Sequence, residues 1–250
     1  MKNFLVFTGS RSEYGLLKNL IKKIDKSKNV NLDLIVSGSH FIKKFGNTIQ
    51  EIKNDKIKIS KKIKFDFKDK SIDTKNLSKN ASNLISILSK HLILKKPDVL
   101  IILGDRFETF IASVAGVISK VKIAHIHGGE LTFGSRDDLY RHAITKMSDF
   151  HFVSSALYKK RLIQIGENEK NIFNVGALCN DNINMLKTLN KKDLAYIYYL
   201  LGRFYAKTNE IESSIRYFKK SIFFDKLFTD SYINLIDWLE RINEISQANL

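Results

Sequence analysis

The sequence predicts an α/β fold, a doubly wound parallel sheet with helices on both faces, followed by a small all-α segment. Three observations predict it. Short apolar runs alternate with helical patterns up to about residue 189. The run Val99–Leu103 is apolar throughout, which is typical of a strand buried on both faces. After Lys192 only helical patterns follow.

The N-terminal part is predicted to form a strand, a turn and a helix. Phe4 to Thr8 is the apolar run, Gly9-Ser10-Arg11 is the turn, and apolar residues recur at helical spacing from Leu16 to Ile24. Ser10 or Ser12 can cap this helix. Free backbone amides in its first turn, together with Arg11, would form an anion site.

The same alternation continues to the middle of the chain. A second strand is predicted at 32–37, a helix through Phe41, Phe45, Ile49 and Ile52, an exposed or edge strand at 57–67, and a helix at 77–92. Pro97 ends that helix. The remaining predictions are strands at 99–103, 122–126, 150–154 and 172–175, and helices from 107, from 137 and after each of the last two strands.

Polar, ionisable side chains cluster where these strands end. The clusters are Gly104-Asp105-Arg106-Phe107-Glu108, His125-Ile126-His127-Gly128-Gly129-Glu130 and Asp137-Asp138-Leu139-Tyr140-Arg141-His142. The carboxyl ends of parallel strands meet at one edge of a sheet, where ligands bind. The clusters therefore predict an active-site rim at this edge.

These side chains allow a particular chemistry. Carboxylates at Asp105, Glu130 and the Asp137-Asp138 pair could move protons on opposite faces of a sugar ring. Arg11, Arg106 and Arg141 could hold a diphosphate. Asp105 and Glu108 could instead serve only the start of a helix.

His125 and His127 stand two residues apart and could be taken for a metal pair. No third ligand follows at a typical spacing. We therefore expect no metal site, and core or hydrogen-bonding histidines instead.

Composition narrows the class of protein further. The chain of 250 residues is 44% hydrophobic and 27% charged, as in ordinary globular domains. The single cysteine favours a reducing compartment, and neither a signal peptide nor a membrane span is expected, so we predict a cytoplasmic protein. The net charge of +16 could suggest nucleic acid, but lysines are dispersed and no nucleic-acid motif accompanies them.

The last sixty or so residues fit a tetratricopeptide register. With Ala195 as first position, the characteristic positions are occupied by Tyr198, Leu201, Gly202, Tyr205, Ser214, Phe218 and Ser221. A shift of about 34 residues, the period of that repeat, lands on Tyr232, Leu235, Ile236, Leu239 and Ala248. This predicts about one and a half repeats, with a generic helical hairpin as the alternative.

Several motifs together carry a resemblance to a known family. They are Thr8-Gly9-Ser10-Arg11-Ser12-Glu13-Tyr14-Gly15, Phe45-Gly46-Asn47-Thr48, Gly104-Asp105-Arg106-Phe107-Glu108, Ala124-His125-Ile126-His127-Gly128-Gly129-Glu130, Arg141-His142-Ala143-Ile144-Thr145-Lys146 and Phe173-Asn174-Val175-Gly176-Ala177. In this order they resemble the hydrolysing UDP-N-acetylglucosamine 2-epimerases of bacterial sialic and legionaminic acid synthesis. The resemblance implies a Rossmann-like domain, the first half of a glycosyltransferase-B-like fold.

The resemblance also implies an activity and its residues. UDP would be eliminated from UDP-N-acetylglucosamine, and the resulting glycal would be hydrated to N-acetylmannosamine, without a metal or redox cofactor. Asp105 and Glu130 would be catalytic, with Asp138, or its neighbour Asp137, as the third carboxylate. Substrate-binding positions would be Arg11, Gly9, Ser10, Arg106, Arg141, His127 and Gly129.

The resemblance covers residues 1–189, and residues 190–250 are the helical repeats. In the family a second domain supplies most contacts to the nucleotide, so we expect a homo-oligomer or a partner chain to complete the site. The rival interpretation is a non-catalytic module that binds a nucleotide sugar, or a protein partner through the repeats. Binding to nucleic acid and insertion into a membrane are not expected.

Overall fold

A computed structural model describes residues 1–42, 48–65, 74–132, 135–179, 191–207 and 210–248. They belong to two compact units, one within residues 1–181 and one within residues 182–250. The expected boundary between residues 189 and 190 lies outside the described residues.

The first unit is built on a seven-stranded sheet whose neighbouring strands all pair in parallel. The strands are β1 (Lys2–Thr8), β2 (Val30–Val36), β3 (Lys61–Lys62), β4 (Val99–Leu103), β5 (Ile123–Ile126), β6 (Phe150–Val153) and β7 (Ile172–Asn174), in the order β3-β2-β1-β4-β5-β6-β7. The order reverses between β1 and β4, which is where such sheets open a crevice. The predicted doubly wound α/β fold is confirmed.

Helices connect these strands. They are α1 (Arg11–Asp25), α2 (Ile49–Asn54), α3 (Thr74–Lys95), α4 (Phe107–Ile118), α5 (Asp137–Lys146) and α6 (Ala156–Gln164). Alternate residues of β1 enter different cores: Leu5 and Phe7 belong to one cluster of buried residues, and Val6 to another. The sheet is therefore covered on both faces at β1, as its uninterrupted apolar run predicts.

Two sequence predictions differ from the structure. The strand predicted at 57–67 is ordered as a ladder only at Lys61–Lys62, although Ile63 is buried; residues 66 and 67 lie outside the described ranges. The single helix predicted through Phe41 and Ile52 is a short 3-10 turn, Gly38–Phe41, and the separate helix α2. Residues 43–47 between them, including Phe45-Gly46-Asn47, lie outside the described residues, as does the helix predicted to end near residue 189.

The second unit contains helices α7 (Lys191–Lys207), α8 (Ile211–Phe224) and α9 (Thr229–Ala248). Serine hydroxyls of α8 bind the backbone of α7: Ser214 Oγ donates to Gly202 O at 3.0 Å and Ser221 Oγ to Ala195 O at 2.6 Å. The ring of Phe218 is fully buried. Within the described ranges, no helix combines the length and apolar character that crossing a bilayer requires.

Candidate active site

Arg141 on α5 lies at the centre of the charged groups that follow β4 and β5. Only 6% of the residue is exposed. Its Nη2 binds Asp105 Oδ2 closely, and its Nη1 donates to Glu130 Oε2 at 3.1 Å and to the backbone carbonyl of His127 at 3.1 Å. Nη2 also donates to Thr132 Oγ1 at 3.1 Å. One guanidinium thus joins carboxylates from two strand ends.

This placement changes the role expected for Arg141. A buried guanidinium that already binds two carboxylates is not open to a diphosphate. Its charge instead compensates Asp105 and Glu130, which would otherwise repel each other. The structure brings Asp105 and Glu130 together, as their positions at neighbouring strand ends predict.

Glu130 has partners on both of its oxygens. Oε2 accepts from Arg141, and Oε1 accepts from Ser154 Oγ at 2.6 Å. His127 Nδ1 lies 3.4 Å from the same Oε1. Ser154 follows β6 directly, but sequence reasoning did not single it out, because a serine after a strand has no distinctive pattern.

His127 is held in an uncommon backbone conformation, with φ of +64°. Its backbone N–H donates to Phe152 O at 2.9 Å, and its ring Nε2 accepts from the backbone N–H of Leu178 at 3.4 Å. Burial lowers the pKa of the ring. Both ring nitrogens therefore face protein groups. His127 was expected to bind substrate, but here its ring lies against Glu130.

The acidic pair at the start of α5 divides into two different positions. Asp138 Oδ1 accepts from the backbone N–H of Thr132 at 3.0 Å, and Oδ2 lies 3.5 Å from His142 Nε2. Asp137 is exposed, and its backbone N–H donates to Ser135 Oγ at 3.2 Å. Asp138 thus holds the backbone of Thr132, whose hydroxyl accepts a hydrogen bond from Arg141.

The backbone of the turn after β1 is bound by the side chain of Glu13. Ser10 caps α1, and Glu13 Oε2 accepts from the amides of Gly9 at 2.6 Å and Ser10 at 3.2 Å. The two amides that precede α1 are therefore occupied by a carboxylate of the same chain. The spacing Ser10-x-x-Glu13 is a capping-box signature that could have predicted this.

Glu13 is buried beside a second acid. Thr109 Oγ1 donates to Glu13 Oε1 at 3.0 Å, and Glu108 lies close by. Burial, with a smaller contribution from the charge of Glu108, raises the pKa of Glu13 to about 7. Arg106 Nε lies 3.6 Å from Glu108 Oε2 and 4.0 Å from Glu13 Oε1.

Of the three arginines expected to hold a diphosphate, Arg11 and Arg106 have side chains that reach solvent. The Arg106 side chain is 45% exposed, and that of Arg11 is 70% exposed and pairs with Glu51 at 2.7 Å. Arg11 can turn toward a ligand without breaking a buried contact, because the side chain of its partner Glu51 is itself only half-buried. Arg106 would have to leave two buried carboxylates, Glu108 and Glu13. They remain the candidates for binding phosphate.

Gly129 and His125 have structural partners. Gly129 has φ of +78°, a Cβ there would lie 3.0 Å from Tyr158 O, and its carbonyl accepts from Arg161 Nη1 at 2.7 Å. His125 is fully buried, its Nε2 lies 2.8 Å from Gly104 O, and burial lowers its pKa to about 3. Among the described residues no group of three His, Cys, Asp or Glu side chains could hold a metal ion.

These features define a Rossmann-like α/β protein whose charged groups gather where such sheets bind ligands. The sequence profile of the family described as UDP-N-acetylglucosamine 2-epimerase matches residues 22–206. The chain belongs to this family.

Curated relatives agree with the family. The chain is 40% identical over 193 residues to GDP/UDP-N,N'-diacetylbacillosamine 2-epimerase (hydrolyzing) of Campylobacter jejuni, a match that covers 77% of this chain and 50% of the relative. It is 35% identical over 188 residues to UDP-N,N'-diacetylbacillosamine 2-epimerase (hydrolyzing) of Legionella pneumophila, covering 75% and 49%. The chain spans about half the length of the curated relatives it matches.

Solved structures show the same fold. UDP-GlcNAc 2-epimerase from Neisseria meningitidis bound to UDP-GlcNAc matches with a TM-score of 0.63 and 22% identity, covering 75% of this chain and 51% of that one. The Methanocaldococcus jannaschii enzyme in complex with UDP-GlcNAc and UDP matches with a TM-score of 0.62 and 19% identity, covering 80% and 54%.

Proposed function

We propose that this protein is a hydrolysing UDP-sugar 2-epimerase. Its substrate would be UDP-N-acetylglucosamine or UDP-N,N'-diacetylbacillosamine, and its product would serve the synthesis of nonulosonic acids or surface polysaccharides. The observation that carries the proposal is the pair of carboxylates, Asp105 and Glu130, joined by buried Arg141 at the ligand-binding edge of the sheet. The names of the curated relatives support the substrate class.

The reaction has two halves. In the first, a carboxylate takes the proton from C2 of the sugar, the C1–O bond breaks, and UDP leaves with the bonding electrons to give a 2-acetamidoglucal. In the second, water adds to C1 and a proton reaches C2 from the opposite face, giving N-acetylmannosamine from the glucose epimer. Each half needs a positioned acid or base, and the net reaction consumes one water.

Asp105, Glu130 and Asp138 would supply these groups, with Asp137 as the alternative for the third. Arg11 and Arg106 would hold the diphosphate through their exposed guanidinium groups. Gly9 and Ser10 would border the phosphates, while Arg141, His127 and Gly129 shape the protein side of the site. The chemistry is acid–base throughout, so these roles call for no cofactor.

Residues of the other half of the cleft would come from a second copy or a separate chain. The chain spans about half the length of these curated relatives. We propose domains at 1–189 and 190–250, acting in a reducing compartment, the cytoplasm, because the chain has a single cysteine.

We further propose that residues 190–250 form tetratricopeptide-like repeats that bind a protein partner. The contact of Gly202 with Phe218 supports this, since a Cβ at Gly202 would lie 2.6 Å from the Phe218 ring. Close approach at these two positions is what the register with Ala195 as first position requires.

The test is turnover of UDP-N-acetylglucosamine and UDP-N,N'-diacetylbacillosamine in D2O, followed by NMR for free UDP, the 2-epimer and deuterium at C2. We expect turnover by the wild type and at least a hundredfold loss in Glu130→Gln. Glu169→Gln is the matched control, because the Glu169 side chain is 66% exposed and pairs only with Lys159 among the described residues.

Absence of turnover with both substrates, in folded protein at high concentration, would overturn catalysis by this chain alone or by copies of it. Calorimetry with UDP would then decide the alternative of a non-catalytic binding module. The exposed guanidinium groups of Arg11 and Arg106 support this alternative, because they could bind a diphosphate whether or not catalysis follows.

A further inference from the structure

Ser154 contacts Glu130 but has no part in the mechanism proposed above. Its Oγ lies 2.6 Å from Glu130 Oε1, a short distance typical of a hydroxyl donating to a charged oxygen. Resting on the proposed function, we infer that Ser154 is a positioning residue for Glu130, and that it acts together with His127 as a neutral Nδ1–H donor.

The tautomer of His127 follows from its second contact. The backbone N–H of Leu178 can only donate, and it points to His127 Nε2 at 3.4 Å. Nε2 must therefore be the acceptor, so the proton of the neutral ring is on Nδ1. That proton faces Glu130 Oε1 at 3.4 Å. His127 thus turns an N–H toward the carboxylate at 3.4 Å and does not compete with it as a base.

Two hydrogen bonds and one nearby ring nitrogen then hold the Glu130 carboxylate. Ser154 and His127 address Oε1, and Arg141 addresses Oε2 at 3.1 Å. A carboxylate held at both oxygens cannot rotate about its last torsion, so its remaining lone pairs keep one direction. Proton transfer depends steeply on such placement.

The local fold explains why Ser154 reaches this position. β6 pairs in parallel with β5, with Ile126 opposite Phe152, so the residues that follow the two strands meet at one edge. Ser155, the next residue, plays a different part, because its side chain caps α6 by accepting from the Tyr158 N–H at 3.4 Å. Two adjacent serines therefore serve separate purposes.

Ser154 and Ser155 allow a matched test in the 250-residue chain. We expect Ser154→Ala to lower kcat roughly tenfold with little change in KM, because substrate binding is intact while Glu130 loses one constraint. Ser154→Thr restores the hydroxyl and should recover most of kcat. Ser155→Ala should lower thermal stability but leave kcat unchanged.

A second measurement does not depend on turnover. Long-range 1H–15N NMR of the His127 ring should show the Nδ1–H tautomer in the wild type, and its Nδ1 shift should move in Ser154→Ala but not in Ser155→Ala. An Nε2–H tautomer, or equal kcat in Ser154→Ala and wild type, would overturn the inference. If the wild type shows no turnover, the proposed function fails, and the ring spectra alone decide whether Ser154 positions Glu130.

Discussion

Arg141 illustrates how one side chain can determine a site. Replacing it with an apolar residue would leave Asp105 and Glu130 uncompensated in a largely buried position, a change that typically costs about 3–5 kcal/mol. A lysine would keep the charge but could not reproduce four donor contacts in one plane. The planar fork of arginine is therefore what allows two strand ends to share one cation.

Glu13 gives a prediction about pH. Its pKa in the folded state, about 7, lies above the ordinary 4.5, so the folded protein binds more protons than the unfolded chain between these values. The contribution of Glu13 to stability is complete below pH 4.5, declines as pH rises through about 7, and then stays constant. Glu13→Gln, neutral at every pH, should remove this decline.

We expect the unfolding free energy of Glu13→Gln, relative to wild type, to rise by on the order of 2–3 kcal/mol between about pH 5 and pH 8. Urea unfolding followed by circular dichroism at several pH values measures it. Glu169→Gln, an exposed counterpart, should follow the wild type at each pH. A constant difference between Glu13→Gln and wild type would contradict the raised pKa.

The site was predictable from sequence only as far as strand ends could be located. Asp105 lies in the loop after β4 and Glu130 in the loop after β5, so their proximity follows from the parallel pairing of these strands. The burial of Arg141 could not be foreseen, because its spacing on α5 suits a solvent-facing position equally well. Nor does the sequence indicate the left-handed conformation of His127, which non-glycine residues seldom adopt.

At the scale of elements, replacing either of two helical glycines with alanine should change the free energy of unfolding in opposite directions. A Cβ on Gly15 in α1 would meet nothing within 4 Å, whereas a Cβ on Gly202 in α7 would lie 2.6 Å from the fully buried ring of Phe218. Gly15→Ala should therefore raise the free energy of unfolding by up to about 1 kcal/mol through helix propensity. Gly202→Ala should lower it by about 1–2 kcal/mol, because overpacking outweighs the same gain.

Thermal and urea unfolding of the two variants measure this difference, and each variant controls for the other because the chemical change is identical. A stabilising Gly202→Ala would show that α7 and α8 can separate at little cost. The close contact would then not define the helix pair.

The elements themselves were predictable to different degrees. β4 is apolar at every position and buried at every position, so its bounds are as predicted. β3 pairs only at Lys61–Lys62, next to β2 at the sheet edge. The alternation of apolar and basic residues from Ile57 onward indicates which face of the strand is buried. It does not indicate how many residues pair with the neighbouring strand.

At the scale of the whole molecule, the alternation of strands and helices was sufficient to predict a doubly wound sheet, but not its strand order. The order reverses beside β1, so β1 has β2 on one side and β4 on the other. The lengths of the connections do not determine which strands lie next to each other, because a right-handed crossover can place the next strand on either side of the first.

The last prediction concerns how the two compact units unfold. The first buries residues of every strand except β3, and the second buries its own side chains, among them Ala195, Tyr199 and Phe218. Because separate cores lose their packing separately, unfolding should not be a single two-state transition. Trp238, the only tryptophan, lies on α9, so its fluorescence reports the second unit, whereas circular dichroism is dominated by the larger first unit.

We expect the urea midpoints from these two signals to differ in the wild type. Gly202→Ala should lower the fluorescence midpoint alone, and Glu13→Gln at about pH 8 should raise the circular dichroism midpoint alone. Coincident midpoints that move together in both variants would mean that the two cores unfold as one cooperative structure. The second unit would then stabilise the sheet that carries Asp105 and Glu130, and deleting residues 191–250 would destabilise the site itself.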